Sequence, residues 1–372
     1  GSHPGSMPPA ARHIDEEGLR WHNHRLSNAH EMTFPNLDGC RQPGDVRADL
    51  QAQVRACQRG VERIKHLIAR IGAEAFVAQQ QHLLDQAERA SRRWQSRNLG
   101  QHYVRLPLEE GGELSLELNV GLKEVSLRLN APASNSNRNA PMGVLRAAIL
   151  YVIRSGIQLP IPLNDGSLRP WSIEVNKGGL LDPSYPAAVA GGNVETSQRL
   201  VDALLLALGR QAESQGTMSN ICIATSAGTL YETIGGGAGA SSDGPGGSAV
   251  QVHMTNTCST DPELLEHRFP LRLRVCALRH GSGGAGLHYG GNGMVREWEL
   301  LEPAEVSLLA SRRSHRPMGI RCCSGKPGAD KVFVAGQWEP FKGHRHLPAG
   351  ARIRIETPGG GGWNPSLSAT EV

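Results

Sequence analysis

The sequence contains few aromatic residues and no long apolar run. Aromatic residues make up 4% of its 372 residues, and no stretch approaches the roughly 18 consecutive apolar residues that span a bilayer. Proteins that bind single-stranded nucleic acid stack bases on aromatic side chains set among basic ones, and no segment here has that pattern. The 39 Lys and Arg residues are spread among 35 Asp and Glu residues. The composition therefore predicts neither nucleic-acid binding nor a membrane protein.

Cysteine is too irregularly placed to indicate a disulfide framework. The seven cysteines form no CxxC motif, and the one close pair is Cys322 and Cys323. An odd number at irregular spacing favours a reducing compartment. The N-terminus lacks the basic start and apolar core of a signal peptide. We therefore expect a cytoplasmic protein.

Several motifs that identify enzyme classes are also absent. There is no GxxxxGK[ST] loop for ATP, no HExxH and no GxSxG. The chain has 15 histidines, but none of its near pairs is joined to a carboxylate at the spacing of a metal site. We therefore assign no metal ligand in this chain. The near pairs come from the histidines His22, His24, His30, His344 and His346.

Hydrophobic periodicity predicts a helical hairpin near the N-terminus. Apolar residues from Leu50 to Ile68 recur at steps of three and four, which is typical of one face of a helix. Gly72 interrupts the pattern, and a second periodic segment runs from Phe76 to Trp94. The pattern predicts a hairpin over residues 45–97.

The remaining patterns favour strands, with helices between them. Alternation at period two begins at Tyr103 and continues in Leu114–Leu118 and Val125–Leu129, which predicts a β-meander. Later apolar runs at 144–154 and 200–208 have helical spacing, and from Gly235 onward dense glycines separate short β-patterned runs. We therefore predict an α+β fold in one domain over 1–372, with a hairpin at 45–97, a mixed α/β portion at 100–230 and a β-rich portion at 231–364.

Polar residues crowd the start of one predicted helix, after the turn Gly191–Asn193. Thr196 and Ser197 are usual helix caps, so an ordinary capped helix is the first interpretation. The free backbone amides of a helix start could instead bind an anion, and Glu195 and Gln198 supply more polar groups than a cap requires. Both interpretations stay open at this point.

A second polar cluster begins at His253. It combines an imidazole with the amide of Asn256 and the carboxylate of Asp261, a set that could position a water molecule. The simpler interpretation is structural, because Asp261 followed by Pro262 is a normal helix start. Spacing alone does not choose between the two.

The order and the amino-acid sequences of several segments resemble the hydantoinase B / 5-oxoprolinase family through nearly the whole chain. The segments are PGSMPP at Pro4–Pro9, DLQAQVRACQRG at Asp49–Gly60, GGNVETSQRLVD at Gly191–Asp202, SQGTMSN at Ser214–Asn220, YETIGGGAGA at Tyr231–Ala240, HMTNTCSTDPELLE at His253–Glu266, LRHGSGGAGLHYGGNGMVRE at Leu278–Glu297, RRSHRPMG at Arg312–Gly319 and TPGGGGW at Thr357–Trp363.

This resemblance implies one part of an ATP-dependent cyclic-amide hydrolase that works as a hetero-oligomer. A hydantoinase A-like subunit of actin fold, binding ATP and Mg, would phosphorylate the carbonyl of a lactam or hydantoin. The present part would complete ring opening of that small substrate. Activation is chemically reasonable because an amide is a poor electrophile. The absence of a P-loop motif from this chain agrees with ATP binding by the other subunit.

The resemblance and the two polar clusters together give the candidate site residues. We expect the amides to orient a carbonyl or phosphate and the imidazole to handle a proton. The candidates are Glu195 and His253 as catalytic residues, with Asn193, Gln198, Gln215 and Asn256 as substrate-binding residues.

Departures from the family pattern leave other functions open. Relatives carry His and Asp residues that look like ligands of a divalent metal before PGSMPP, so we expect an N-terminally incomplete chain without them. Relatives also have D-x-S-G-T where this chain has Arg128 and Leu129, and an Arg where it has Cys258. Loss of a bidentate Arg argues against 5-oxoproline as the substrate. The alternatives are an alpha-type subunit of an acetone or acetophenone carboxylase, or a catalytically inactive divergent partner protein.

Overall fold

The computed structural model describes residues 8–28, 31–40, 43–157, 160–161 and 164–364. Within these ranges the chain contains helices and strands in mixed order, with three separate sheets. The predicted α+β fold class is confirmed. The helices are α1 (Pro43–Ile71), α2 (Ala73–Ser96), α3 (Met142–Gly156), α4 (Thr196–Ala207) and α5 (Pro262–Arg268). The strands are β1 (Gly100–Pro107), β2 (Glu113–Val120), β3 (Val125–Asn130), β4 (Trp171–Val175), β5 (Asn220–Thr225), β6 (Gly228–Thr233), β7 (Leu271–Arg279), β8 (Gly293–Leu300), β9 (Ala304–Leu309), β10 (Ala329–Val334), β11 (Gln337–Pro340), β12 (Gly343–Leu347) and β13 (Arg352–Glu356).

Helices α1 and α2 lie where the sequence predicts a hairpin. Gly72 joins them with φ +85°, a conformation that a residue without Cβ adopts at little cost. The second half of α2 packs on the body of the protein through Ala87, Ala90 and Trp94. Residues 55–86, by contrast, include no buried residue. The outer part of the hairpin therefore projects from the body.

The first sheet has the strand order β1-β2-β3-β4 and supports α4. Side chains of β2 alternate between buried and exposed, so one face carries the apolar set Leu114, Leu116 and Leu118. Strands β3 and β4 are parallel, and α3 forms the crossover between them. Helices α3 and α4 cover the apolar face, with Ile149 and Leu200 fully buried in one core. This core fixes the position of α4.

The other two sheets pack face to face over a second core. Their strand orders are β11-β10-β13-β8-β7 and β12-β9-β5-β6, with every pairing antiparallel. Ile221, Val306, Trp298 and Ile353 come from both sheets and are fully buried together. The result is a β-sandwich. It holds the loop after β9 against the start of α4.

Glycine-rich segments outside the strands pack backbone against backbone beside the sandwich. Ala240 N–H donates to Gly361 O, and Gly291 N–H donates to Ala238 O, each at 2.9 Å. A Cβ on Gly360 would lie 1.9 Å from Ala238 O, and one on Gly283 would lie 1.9 Å from Gly290 O. The sequence predicts these glycines only as separators of β-runs. The structure shows that they are also packing residues.

Candidate active site

A cavity of about 320 Å³ lies where the first sheet, α4 and the loop after β9 meet. Its walls come from the β1–β2 turn, from the loop after β3, from the first turn of α4, and from residues 311–315. The volume is at the lower end of the range of about 300–1,000 Å³ for small-molecule sites. The walls contribute both carboxylates and guanidinium groups. The cavity therefore suits a small polar ligand.

Glu195 is the most deeply buried carboxylate in the cavity wall, with 1% of its surface exposed. Thr217 Oγ1 donates to its Oε1 at 2.8 Å, and Ser311 Oγ donates to its Oε2 at 2.5 Å. Burial raises the pKa of Glu195, and this effect outweighs the opposing attraction of Arg138 and the two hydroxyl groups. A carboxyl with a raised pKa can act as a proton donor or acceptor closer to neutral pH.

Behind the cavity, buried ionic groups form a continuous network that ends at His253. Arg199 Nη1 lies 2.9 Å from Glu213 Oε1, and Arg312 Nη2 binds the same oxygen. Arg312 Nη2 also lies 3.6 Å from Asp202 Oδ2. Asp202 Oδ1 in turn contacts His253 Nε2 at 2.8 Å. Because Arg199 and Arg312 also line the cavity, the network connects the cavity wall with the predicted histidine.

Burial raises the pKa of Glu213 to about 7, and the neighbouring carboxylate of Asp202 adds to the rise, although Arg199 favours the charged form. The folded protein therefore holds this proton more tightly than a carboxyl at the ordinary value of 4.5 does. The stabilisation that results is complete below about pH 4.5 and is lost as the pH rises through about 7.

Glu213 should therefore contribute to the free energy of unfolding an amount that falls as the pH rises. Replacing Glu213 with Gln is expected to remove this contribution. The free energy of unfolding, measured by urea titration between pH 4.5 and 7, should fall more steeply with rising pH for the wild type than for the variant. Exposed Glu113, changed to Gln, is the matched control and should keep the wild-type slope. Equal slopes for the wild type and the Glu213 variant would contradict the prediction.

Of the predicted site residues, Glu195 is the one that lines the described cavity. Gln198 and Gln215 are fully buried, and the Gln198 amide makes no hydrogen bond through either polar atom within the described residues. Asn193 and Asn256 are exposed instead. The structure thus brings together the buried members of the predicted set around α4 and leaves the two asparagines at the surface.

The sequence matches a known family along almost its full length. A sequence model described as Hydantoinase B/oxoprolinase matches residues 1–366. The chain belongs to the hydantoinase B/oxoprolinase family. The 5-oxoprolinase 1 of Arabidopsis thaliana is 36% identical over 98% of this chain. That alignment covers 32% of the plant protein, so the chain spans about a third of this relative's length.

Two solved structures have the same fold. The ATP-dependent caprolactamase from Pseudomonas jessenii superposes with a TM-score of 0.83 and 24% identity, covering 98% of this chain and 69% of that one. An acetone carboxylase structure superposes with a TM-score of 0.81 and 13% identity, covering 98% of this chain and 59% of that one. At these identities the likeness establishes the architecture alone.

Sequence reasoning about this hydantoinase B family member did not single out several groups of the site. Asp202 and Arg312 are present in the segments that carry the resemblance, and Glu213 immediately precedes one of them, but no role was assigned to any of the three. The sequence signal that could have identified such groups is a charged residue within an otherwise apolar segment. Asp202 follows Leu200 and Val201 in the apolar run 200–208, which has helical spacing, and a carboxylate buried among apolar residues requires a partner.

The start of α4 differs from the ordinary capped helix that the sequence first suggested. Glu195 occupies the N-cap position, and its side chain makes no capping hydrogen bond. Thr196 and Ser197 donate their hydroxyl hydrogens to the carbonyl oxygens of Arg138 and Asn193. These hydroxyls tie the helix start to neighbouring loops.

At Asp261 the interpretation as a helix start is confirmed, because its carboxylate accepts from Glu263 N and Leu264 N.

The described residues offer no site for the divalent metal that the family resemblance implies. No group of three or more His, Cys, Asp or Glu side chains among them could hold a metal ion. His30, one of the closely spaced histidines, lies outside the described residues. Among the described helices, none is both long enough and apolar enough to cross a membrane.

Proposed function

We propose that this chain is a portion or subunit of an ATP-dependent cyclic-amide hydrolase and completes the opening of an activated lactam or hydantoin ring. The observation that carries the proposal is the position of Glu195. This residue belongs to the GGNVETSQ segment of a hydantoinase B/oxoprolinase family member, and it lies buried in the wall of a cavity of small-molecule size. The proposed substrate is a small cyclic amide.

The proposed partner is a hydantoinase A-like subunit of actin fold, which binds ATP and Mg. ATP dependence is supported by the caprolactamase of the same fold. In the partner, the carbonyl oxygen of the ring takes the γ-phosphoryl group and ADP is released. Phosphorylation draws electrons from the ring carbon, which makes that carbon a better target for water.

In the cavity, water adds to the ring carbon whose oxygen carries the phosphoryl group, and the added water loses a proton. The ring C–N bond then breaks as the nitrogen takes up a proton, and hydrolysis of the resulting acyl phosphate releases phosphate. We assign the proton transfers to Glu195, because its pKa is raised by burial, it lines the cavity, and its carboxyl is held by hydrogen bonds from Thr217 and Ser311. Arg138 and Arg199 supply positive charge beside the phosphoryl group.

His253 remains a second candidate for a proton-transfer role. Its Nε2 contacts Asp202, an arrangement that fixes the orientation of an imidazole. The network reaches the cavity from Asp202 through Arg312. Geometry favours Glu195 for the direct transfer, since Glu195 lines the cavity and His253 does not. The alternative of a carboxylase alpha-type subunit rests on a likeness of fold at 13% identity and has no further support.

Reconstitution tests the proposed function. The protein, expressed from its own gene, is combined with a hydantoinase A-like subunit, ATP and Mg, and ring-opened product is measured from 5-oxoproline, hydantoins and larger lactams. We expect product with both components and none with the hydantoinase A-like subunit alone. Turnover of bicarbonate with a ketone, without ring opening of any cyclic amide, would instead support the carboxylase alternative. The absence of both activities would support an inactive partner protein.

A further inference from the structure

The loop after β9 is anchored to the sandwich by one buried ion pair. Arg313 Nε donates to Asp330 Oδ2 at 2.8 Å, and Arg313 Nη2 donates to Asp330 Oδ1 at 2.7 Å. The two side chains are 13% and 5% exposed. A guanidinium group that meets both oxygens of a carboxylate is fixed in orientation as well as in position. Since Asp330 lies on β10, the pair holds the loop against a strand.

The remaining nitrogen of the same guanidinium group fixes the backbone of Ser311. Arg313 Nη1 donates to Ser311 O at 2.7 Å. Gly328 packs against the group, because a Cβ at this glycine would lie 2.9 Å from Arg313 Cζ and from Arg313 Nη1. All three nitrogens of Arg313 are therefore engaged in a space that fits a planar group. The ammonium group of a lysine has the same charge but lacks this planar geometry.

Ser311 holds both oxygens of the Glu195 carboxyl. Its Oγ donates to Glu195 Oε2 at 2.5 Å. Its backbone N–H donates to Thr217 Oγ1 at 3.2 Å, and the hydroxyl hydrogen of Thr217 goes to Glu195 Oε1 at 2.8 Å. A displacement of Ser311 therefore disturbs the hydrogen bonds to both carboxyl oxygens.

Arg313 and Asp330 do not line the described cavity, whereas Ser311 does. Neither Arg313 nor Asp330 is therefore placed to contact a ligand there. Their connection with the cavity runs through Ser311 to Glu195. An effect of Arg313 on Glu195 must accordingly be an effect of position or of charge.

Three charged or titratable side chains face Glu195 from the elements around it. Arg138 comes from the loop after β3 and Arg313 from the loop after β9, and both attract the charged carboxyl. Tyr231 comes from β6, and the pKa of its phenol is raised mainly by burial and also by Glu195. The hydrogen bond from Ser311 lowers the pKa of Glu195 against the larger, raising effect of burial. Arg313 is thus placed to favour the charged carboxyl directly and through Ser311.

We propose that Arg313 is a positioning residue for the proton transfers assigned to Glu195. Its bonds to Asp330 and to Ser311 O fix the place of the Ser311 hydroxyl, and that hydroxyl orients the Glu195 carboxyl and favours its charged form. This role in catalysis rests on the proposed function. The effect of Arg313 on Glu195 can be measured in this chain alone.

Arg313→Lys tests the role because it keeps a positive charge beside Asp330 but removes the planar group. Weaker holding of Ser311 weakens a hydrogen bond that favours the charged carboxyl, so the pKa of Glu195 should rise. Infrared difference spectroscopy on the protein alone measures this pKa, from the carboxyl C=O band that is absent in Glu195→Gln. Ser311→Ala removes the hydrogen bond itself and should raise the same pKa.

Combining the two changes separates position from charge. If Arg313 acts through the Ser311 hydroxyl, Arg313→Lys should have no further effect on the pKa of Glu195 in the Ser311→Ala protein. A wild-type pKa in Arg313→Lys overturns the proposal, and so does an unchanged pKa in Ser311→Ala. Equal effects of Arg313→Lys with and without the Ser311 hydroxyl also overturn it.

Arg354→Lys is the matched control. Arg354 lies on β13 of the same sheet as Asp330, and its guanidinium group contacts Glu297 and Glu356. This variant makes the same chemical change in another paired arginine. It should leave the pKa of Glu195 at the wild-type value.

Thermal unfolding shows whether each variant is folded. If Arg313→Lys does not fold, the double variant Arg313→Gln/Asp330→Asn takes its place, because it removes both members of the buried pair and leaves neither charge without its partner. Its effect on the pKa of Glu195 should be smaller in the Ser311→Ala protein. Equal effects in the two proteins would overturn the proposal.

The consequence for catalysis is measured with the hydantoinase A-like subunit. A misplacement of 1 Å can lower a rate by about 10²-fold, so kcat of Arg313→Lys should fall by roughly 10–10²-fold. The limb of the pH profile of kcat that reports Glu195 should move to higher pH, in the direction of the pKa. A wild-type kcat and profile in a variant whose pKa has risen overturns the catalytic role. If the wild type opens no ring, the proposed function fails, and the infrared measurement still decides whether Arg313 positions Glu195.

Discussion

Gly360→Ala is expected to prevent the protein from folding to its native structure. The added Cβ would lie 1.9 Å from Ala238 O and 2.7 Å from Gly239 N, both backbone atoms that no rotamer change can move. Gly360 also donates to Gly291 O at 2.9 Å, so it is held from two sides. Overpacking of a well-filled interior by a few atoms already destabilises by about 1–3 kcal/mol, and a clash with fixed backbone exceeds that range. The measurement is the yield of soluble protein and its thermal unfolding.

The matched control is Gly143→Ala in α3. A Cβ at Gly143 meets no atom within 4 Å, and the residue lies in a helix. Alanine is favoured over glycine in a helix by roughly 0.5–1 kcal/mol, so this variant should be as stable as the wild type or slightly more stable. A soluble Gly360→Ala protein that unfolds at the wild-type temperature would show that the glycine segments do not pack as described.

Glu195→Gln should lower the rate of ring opening by about 10²–10⁴-fold, the usual contribution of a positioned acid or base. The amide preserves the size of the side chain; its oxygen can accept from one of the Thr217 and Ser311 hydroxyls and its NH2 can donate to the other, but it cannot exchange a proton with the substrate. The effect should appear in kcat, because the cavity keeps its shape. Steady-state product formation with the hydantoinase A-like subunit measures it.

The control is Glu124→Gln, an exposed carboxyl in the turn before β3, far along the first sheet from the cavity. It makes the same chemical change and should retain the wild-type rate. A second check compares thermal unfolding of both variants with that of the wild type, since a loss of activity through unfolding would lower the midpoint. A folded Glu195→Gln protein with a wild-type kcat would remove Glu195 from the proton-transfer step.

Helices and strands were predictable because their signals are local. Steps of three and four from Leu50 to Ile68 mark α1, and alternation in Leu114–Leu118 marks β2. These periods follow from where successive side chains point, so they require no knowledge of distant residues. The same local signals predicted the β-rich character after Gly235. The division into one domain with three subregions stays a prediction.

The packing of the glycine segments was not predictable by the same means. Contacts such as Gly360 with Ala238 join parts of the chain that are far apart in sequence. Dense glycine indicates turns as readily as close backbone contact. Because glycine has no side chain, these segments show no periodic pattern that would distinguish a turn from close backbone packing. The three-dimensional arrangement alone distinguishes packing residues such as Gly360 from open ones such as Gly143.

The sequence indicated segments that contribute to the candidate site, but it did not indicate the contacts between their side chains. Glu195 and Ser311 are 116 residues apart, and Asp202 and His253 are 51 apart, so spacing carried no information about either pair. Motif membership also does not report where a side chain points. Asn193 lies in the same segment as Glu195 and is exposed, and its proposed role in substrate binding remains a prediction.

Our proposal is that the activated ring is opened in the cavity beside Glu195, after a separate hydantoinase A-like subunit has transferred the phosphoryl group from ATP. A single-turnover experiment with Glu195→Gln, the hydantoinase A-like subunit and a cyclic amide tests it most directly, with ADP and ring-opened product counted in the same samples. We expect ADP to form at the wild-type rate while ring-opened product lags far behind. Formation of both at wild-type rates, or loss of both together in a folded protein, would contradict it.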